Sequence, residues 1–114
     1  MLPPAHRLRS SRDFSEVVRH GRRAGRPLLV VSVLIPAEAS EAPTRAGLVV
    51  GKAVGGSVVR SRTSRRLRHL LRDRLDRLPA GSRVVVRALP GAGAATGAAL
   101  SDDLDRALDR VVPR

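Results

Sequence analysis

The sequence predicts a single-domain α+β sandwich, a sheet with helices packed on it, in the order α-β-β-α-β-α. At 114 residues the chain is long enough for one modest core and too short for two. Segments rich in β-branched residues alternate with segments whose apolar residues recur at helical spacing. Cysteine is absent, which excludes disulfides and thiolate metal sites, so packing alone must hold the fold.

The first predicted helix follows a basic arm at residues 1–9 and is formed by the stretch SSRDFSEVVRHG. In this stretch Phe14, Val17 and Val18 fall at i, i+3 and i+4 and make one apolar face. Either of the two adjacent serines can cap its start, and the glycine can end it. We therefore expect a short amphipathic helix near the N-terminus.

Two strands are predicted to follow this helix. The first is RPLLVVSVLIP, which is rich in β-branched residues and can also be read as two shorter strands. The second is RAGLVVGK, which comes after the polar loop AEASEAPT. The arrangement is consistent with a hairpin that has a long connection.

A long helix is predicted from about Val58 to Leu78, between the glycine turn GKAVGGS and the breakers Pro79 and Gly81. Its apolar stripe comprises Val59, Thr63, Leu67, Leu70, Leu71, Leu75 and Leu78. The opposite face carries Arg62, Arg65, Arg68, His69 and Arg72. Arg60 falls near the stripe in the first turn, so we expect it to lie along the start of the helix.

The C-terminal part predicts a third strand, SRVVVRAL, and a last helix, LSDDLDRALDRVV. A flexible Gly/Ala loop at residues 90–99 is expected to join them. Ser101 is expected to cap the helix, with Asp102 and Asp103 complementing its dipole. The predicted buried face consists of Leu104, Ala107, Leu108 and Val111.

Positive charge is concentrated on the predicted long helix. The chain has 22 Lys and Arg against 10 Asp and Glu, a net charge of +12, yet the stretch GKAVGGSVVRSRTSRRLRHLLR contains no acid. A solvated helix face normally mixes charges for i,i+4 pairing, so an acid-free face predicts an anionic partner. Nucleic acid is favoured, because phosphate neutralisation releases counterions. The glycines suit phosphate binding at the helix N-terminus, although they do not match a P-loop.

The remaining polar residues predict no catalytic or metal site. The three histidines are scattered, with no acid or hydroxyl at the spacing of a triad or of metal ligands. Phe14 is the only aromatic residue, so an aromatic platform for stacking bases cannot be assembled. The longest apolar run, PLLVVSVLIPA, is far shorter than a membrane span, and the N-terminus lacks a signal-peptide core. We therefore expect a cytoplasmic binding protein with neither a membrane partner nor a small-molecule ligand.

Three stretches together resemble the protein component of bacterial ribonuclease P over nearly the whole chain: RLRSSRDFSEVVRHG, RAGLVVGKAVGGSVVRSRTSRRLRHLLR and SRVVVRAL. The specific features are a strand ending in G-K, a glycine-bearing turn, a helix that starts R-x-R-x-x-R-R, and an Asp-Phe helix upstream. The resemblance implies an α+β fold related to a ribosomal-protein domain. It also implies a left-handed β-α-β crossover, against the usual right-handed rule.

The resemblance further implies a subunit whose partner is a large catalytic RNA. That RNA would carry out a Mg2+-dependent hydrolysis that removes the 5′ leader from precursor tRNA, with the Mg2+ held mainly by the RNA. The protein would bind both this RNA and the leader. The residues implied to face the catalytic RNA are Lys52, Arg60, Arg62, Arg65, Arg66 and Arg68, and the charge pattern adds Arg72. Those implied to line a cleft for the single-stranded leader are Phe14, Val18 and Ser32.

The chain departs from the family pattern at four places. Ser61 and Gly56 stand where the family usually has asparagine, and Val18 and Ser32 stand where it often has aromatic residues. We therefore expect contact with the leader to depend more on arginine and backbone than on rings. A basic ribosomal or RNA-chaperone protein would share the helix and the fold and is the alternative. A protein nuclease would require clustered acids or histidines.

Overall fold

The chain forms a four-stranded sheet and three amphipathic helices in a computed structural model that describes residues 2–112. The helices are α1 (Ser11–His20), α2 (Ser57–Arg72) and α3 (Gly97–Val111). The strands are β1 (Arg22–Gly25), β2 (Leu29–Leu34), β3 (Arg45–Val49) and β4 (Arg83–Ala88). Short 3-10 turns lie at Pro4–His6, Lys52–Val54, Leu75–Arg77 and Pro90–Gly93. Among residues 2–112, no helix has the length and apolar character needed to cross a membrane.

The sheet has the strand order β1-β2-β4-β3. β1 pairs antiparallel with β2 and β2 with β4, whereas β3 pairs parallel with β4. The predicted hairpin between the second and third of these strands is wrong, because β4 lies between them. Three consecutive valines of β4, Val84–Val86, are buried on both faces of the sheet, which requires a central position. β1 precedes the predicted first strand and has no β-branched residue that would have signalled it.

β3, α2 and β4 form a β-α-β crossover between adjacent parallel strands. Parallel neighbours need a connection that returns the chain to the same end of the sheet, and α2 makes that return. The left hand of this crossover stays a prediction from the resemblance.

The main core consists of aliphatic side chains on the face of the sheet that α2 and α3 cover. β2 contributes Leu29, Val31 and Val33, which alternate toward that face. The predicted apolar stripe of α2 and the predicted buried face of α3 are both confirmed, since their members are buried or packed against this core. On the opposite face α1 packs through a smaller cluster made of Leu8, Val17 and Val85.

α2 ends at Arg72, six residues before its predicted end at Leu78. The cause is Arg74, whose guanidinium folds back on the helix end and donates to the Leu70 carbonyl at 2.9 Å and to Asp105 Oδ1 of α3 at 2.6 Å. The hydrogen bond from Arg74 holds the pKa of Asp105 below its usual value, and the pKa of Arg74 is raised in return. The turn that follows still buries Leu78 in the core.

α3 begins at Gly97, four residues before the predicted cap at Ser101. Thr96 is the N-cap, and its hydroxyl accepts a hydrogen bond from the N–H of Ala99 at 3.1 Å. The predicted Gly/Ala loop at 90–99 is therefore shorter, because it contains a 3-10 turn and the first residues of α3.

The two aspartates predicted to complement the dipole of α3 lie in its second turn, so that role is wrong. Asp103 is buried and accepts hydrogen bonds from the N–H of Leu28 at 2.9 Å and from Nε of Arg26 at 3.3 Å. Asp102 pairs with Arg106 one turn later at 2.9 Å. Asp103 thus ties the connection between β1 and β2 to α3.

The basic arm at the N-terminus lies along the outer edge of β3. Arg7 forms a parallel bridge with Ala46, and the N–H of Leu8 donates to the Ala46 carbonyl at 2.9 Å. Leu2 is 3% exposed and belongs to the main core. The arm therefore shields part of the sheet edge that would otherwise present unpaired backbone groups.

Candidate nucleic-acid interface

The basic face of α2 is formed by its six arginines, Arg60, Arg62, Arg65, Arg66, Arg68 and Arg72. Arg65, Arg68 and Arg72 are exposed, and the other three are half-buried. Of these six arginines, only Arg72 has a carboxylate partner within residues 2–112, namely Asp73 at 3.7 Å. Carboxylates of the described chain therefore leave the charge of the other five unneutralised.

Two members of the basic face are held by backbone carbonyls of the loop that precedes α3. Arg62 Nη2 donates to the carbonyl of Gly93 at 3.0 Å, and Arg66 Nη1 donates to the carbonyl of Ala95 at 3.1 Å. The prediction that Arg62 lies on the open face of the helix is therefore only partly right. Arg60 is half-buried at the start of the helix, where it was expected.

The glycine turn before α2 places Lys52 close to the start of the basic face. Lys52 is exposed, and its carbonyl accepts the N–H of Gly55 at 3.2 Å. Gly55 has a φ of +155°, and a Cβ there would lie 2.7 Å from Cγ1 of Val59, so glycine is needed at this position. Gly56 is the N-cap of α2 and borders open space, and Ser61 is exposed one turn further on. Both departures from the family pattern thus lie on accessible surface.

A groove of about 480 Å³ lies beside α1 on the opposite face of the sheet. It is lined by Phe14, Ser15, Val18, Arg19 and Val49. The exposed fractions of Val18 and Val49 are 52% and 39%. The groove therefore offers apolar surface beside an arginine.

β4 places two further arginines on this face of the sheet. Val85 packs under α1, so the residues two positions before and after it, Arg83 and Arg87, point to the same side of the sheet. Arg87 is exposed, and its register partner on β3 is Val49 of the groove. Neither Arg87 nor Arg19 has a carboxylate partner in the part of the chain that the structure describes.

Arg83 fixes α1 against the sheet and so sets the wall of the groove. Its guanidinium donates to Asp13 Oδ1 at 3.1 Å and to Glu16 Oε1 at 2.6 Å. The hydrogen bond from Arg83, helped by its charge, holds the pKa of Glu16 below its usual value. Gly47 of β3 makes room for the ring of Phe14, because a methyl group there would overlap that ring.

Two of the three residues predicted to contact a leader come together in this groove. Phe14 and Val18 both line it. Ser32 does not, since it is 4% exposed and its register partner Val85 is buried beneath α1.

The basic face and the groove meet at the edge of β3. A smaller cavity of about 250 Å³ lies there, and Phe14 of the groove and Arg68 of the basic face both line it. Arg7 of the N-terminal arm lines the same cavity. Arginines of the basic face and of the N-terminal arm therefore adjoin the groove at this edge.

Comparison with known proteins identifies the family. A family model described as Ribonuclease P matches residues 2–112. The chain belongs to the ribonuclease P protein family. It is 60% identical to the ribonuclease P protein component of Streptomyces avermitilis, over 98% of this chain and 96% of that protein. It is 50% identical to the component of Nocardioides sp., over 97% of this chain and 95% of that protein.

Solved structures of ribonuclease P proteins share the fold. The protein from Staphylococcus aureus superposes with a TM-score of 0.81 at 22% identity, covering 96% of this chain and 99% of that one. The protein from Thermotoga maritima gives a TM-score of 0.76 at 23% identity, covering 92% and 96%. The predicted family and α+β fold are therefore confirmed.

Sequence reasoning about this ribonuclease P family member missed Arg19 and Val49 of the groove, and Arg87, the register partner of Val49. The alternation in RVVVRA was a usable signal for Arg87, because it places both arginines on one face of the strand. Val49 could not be found in this way, since its neighbours follow from the parallel pairing of β3 with β4.

Proposed function

We propose that this chain binds the ribonuclease P RNA through α2 and the 5′ leader of precursor tRNA through the groove beside α1, while the RNA carries the hydrolysis. Family membership makes the chain a protein subunit of ribonuclease P, the endoribonuclease of tRNA processing. The observation that supports the finer assignment is the acid-free basic face of α2, which meets the groove at the β3 edge.

The basic face is suited to phosphates of a folded RNA. The proposed contacts are its six arginines, Arg60, Arg62, Arg65, Arg66, Arg68 and Arg72, together with Lys52 in the preceding turn. Each arginine that neutralises a phosphate releases counterions, so binding is expected to weaken steeply with salt. The planar guanidinium also binds phosphate oxygens two at a time, which fixes orientation as well as affinity.

The groove is suited to a single strand that is gripped by its backbone and not by stacked rings. Val18 and Val49 offer flat apolar surface to bases or sugars, and Phe14 provides the one ring. Arg19 lines the groove and Arg87 is the register partner of Val49, so both are close enough to serve the phosphates. Such a site would accept many leader sequences, because phosphate contacts carry no base information.

The residues of the protein do not fit a Mg2+ site. Within residues 2–112, no three acidic or histidine side chains gather where they could hold a metal ion. Most carboxylates are instead paired with arginine, namely Asp13, Glu16, Asp73, Asp102, Asp103, Asp105 and Asp109. We propose that the RNA mainly holds the Mg2+, and we assign no chemical step to the protein.

Reconstitution tests this function. The chain alone should leave precursor tRNA intact, and adding the cognate ribonuclease P RNA at low Mg2+ should give correct 5′ cleavage faster than the RNA alone. A folded protein that leaves the RNA unchanged would contradict the proposal. Co-sedimentation with ribosomal subunits instead would favour the ribosomal alternative, and metal-dependent cleavage without RNA would indicate a protein nuclease.

Leader binding is tested separately. Arg87→Ala and Arg19→Ala should raise the KM for precursor tRNA with a long leader and leave the KM for a substrate with a one-nucleotide leader unchanged. Arg110→Ala on α3 is the matched control, because that arginine is exposed on the far side of the sheet. Equal effects on both substrates would show that the groove does not hold the leader.

A further inference from the structure

The loop between β4 and α3 divides the arginines of the basic face into two classes. Arg62 and Arg66 lie one helical turn apart and donate to carbonyls two residues apart on this loop, at 3.0 and 3.1 Å. Arg65 and Arg68 are exposed and make no hydrogen bond to the described protein. Among these four arginines of α2, Arg62 and Arg66 are fixed by hydrogen bonds to the loop, and Arg65 and Arg68 are free of such bonds.

A backbone carbonyl differs from a carboxylate as a partner for an RNA-binding arginine, because it orients the guanidinium without neutralising its charge. A carboxylate in the same place would neutralise the arginine, as Asp105 does for Arg74. A guanidinium has five N–H donors. In Arg62 one of them bonds Gly93 and the Nε–H is buried without a partner, which leaves the remaining Nη donors for phosphate oxygens. The fixed arginines thus keep their full charge and part of their donors.

The loop reaches α2 only because residue 93 is glycine. Gly93 is buried, and a Cβ there would overlap the carbonyl oxygen of Val54 and lie 2.9 Å from Cγ1 of Val59. Any larger residue would push the two carbonyls away from the helix. Gly97, four residues on, has nothing within 4 Å of a Cβ and carries no such constraint.

We propose that residues 93–95 are positioning residues, which hold Arg62 and Arg66 in the orientation that the catalytic RNA requires. The inference rests on the proposed function of the basic face. A long side chain that becomes ordered only on binding loses conformational entropy, which lowers the affinity. Because the loop already orders Arg62 and Arg66 in the free protein, binding does not incur this loss. Arg65 and Arg68 contribute mainly their positive charge, so the RNA affinity depends less on how their guanidinium groups are oriented.

Lysine substitution separates the two classes, because lysine keeps the positive charge and lacks the planar guanidinium with its several N–H donors. Affinity for the cognate ribonuclease P RNA should fall roughly three- to tenfold for Arg62→Lys and Arg66→Lys, and less than about twofold for Arg65→Lys and Arg68→Lys. The slope of log K against log salt should stay the same in all four variants, since no charge is removed. Equal losses in the two pairs would overturn the proposal.

Gly93→Ala tests the loop directly, with Gly97→Ala as the matched control. Gly93→Ala should weaken RNA binding without changing the salt slope, and it should add little to a variant in which Arg62 and Arg66 are already lysine. An undiminished further loss in that background would show that the glycine acts through general stability. If Gly93→Ala does not fold, as judged by thermal unfolding, the lysine series alone decides.

The two proposals fail in different ways. Failure of the proposed function would appear as no RNA affinity, or as affinity that Arg65→Ala and Arg68→Ala do not change. Failure of this inference would leave tight, arginine-dependent binding in which fixed and free positions respond alike.

Discussion

Arg83 and Arg65 show how the partner of an arginine decides what its side chain does. Arg83 is held by two carboxylates of α1 and serves packing, whereas Arg65 points from α2 with no carboxylate partner in the described chain. Arg62 lies between these cases, because its partner is the neutral carbonyl of Gly93. Residue type alone therefore does not assign a role to the arginines of this chain.

Arg62→Ala and Arg65→Ala should differ in stability although both weaken RNA binding. Each should reduce the salt slope by up to about one phosphate. Arg65→Ala should leave the melting temperature nearly unchanged, while Arg62→Ala should lower the free energy of unfolding by about 1 kcal/mol, because a hydrogen bond to the loop is lost. Thermal unfolding and RNA titrations at several salt concentrations measure both effects, and identical melting temperatures would contradict the expected difference.

Gly47→Ala should destabilise the protein by about 1–3 kcal/mol, because the new methyl group would push the ring of Phe14 off the sheet. Gly25→Ala is the matched control: it is also a strand glycine, and nothing lies within 4 Å of its Cβ. Denaturant unfolding of the two variants gives the comparison. The same loss in both would mean that close approach of the ring is not the reason for glycine at position 47.

At the level of elements, α1 is a helix held to the sheet by one arginine and a small apolar cluster. Arg83 of β4 contacts both Asp13 and Glu16, and Val17 packs on Val85. The groove beside α1 exists only while the helix keeps this position, so the proposed binding of the leader should depend on the stability of this contact.

The Arg83 contact predicts a pH-dependent part of the stability. Because Arg83 lowers the pKa of Glu16, the contribution is present above the ordinary glutamate pKa of about 4.3 and is lost as the pH falls through the lower folded value. Arg83→Gln should therefore melt at a lower temperature than the parent at neutral pH, and the difference should shrink in acid. An NMR titration should show the Glu16 pKa returning to its usual value in the variant. A difference that grows on acidification would have the wrong sign.

The sequence predicts the apolar faces of the helices well. It does not predict features that depend on a contact between residues far apart in the chain. The stripe of α2 and the buried face of α3 were predictable because both depend on local spacing. The end of α2 was not, since it depends on Arg74 meeting Asp105, 31 residues away. In the same way, the acid-free arginines were evident from the sequence, whereas the loop that fixes Arg62 depends on how close Gly93 comes to α2.

For the molecule as a whole, paired and unpaired charges lie on different sides of the protein. On α3, Asp105 and Asp109 pair with Arg77, which follows α2, and Asp105 also pairs with Arg74. Within residues 2–112, no carboxylate lines the groove, and of the arginines of the basic face only Arg72 has a carboxylate partner. The protein is thus polarised, with a balanced side around α3 and a strongly positive side toward the β3 edge.

This polarity predicts which arginines affect RNA binding. Arg106→Ala and Arg110→Ala on α3 should leave the salt slope for the ribonuclease P RNA unchanged, although each removes one positive charge. Arg68→Ala and Arg65→Ala, with the same change of charge, should reduce it. Slopes that depend only on net charge, whichever arginine is removed, would show that the RNA does not distinguish the two sides.

The central place of β4 has a consequence for synthesis on the ribosome. β2 and β3 have no partner between them until residues 83–88 have been made, so before that point β1 and β2 are the only strands able to pair as they do in the finished sheet. α2, with its arginines, therefore leaves the exit tunnel before the sheet that will support it. During that interval a nascent chain exposes a cationic, leucine-striped segment amid ribosomal RNA, and only the arrival of β4 and α3 buries the leucines.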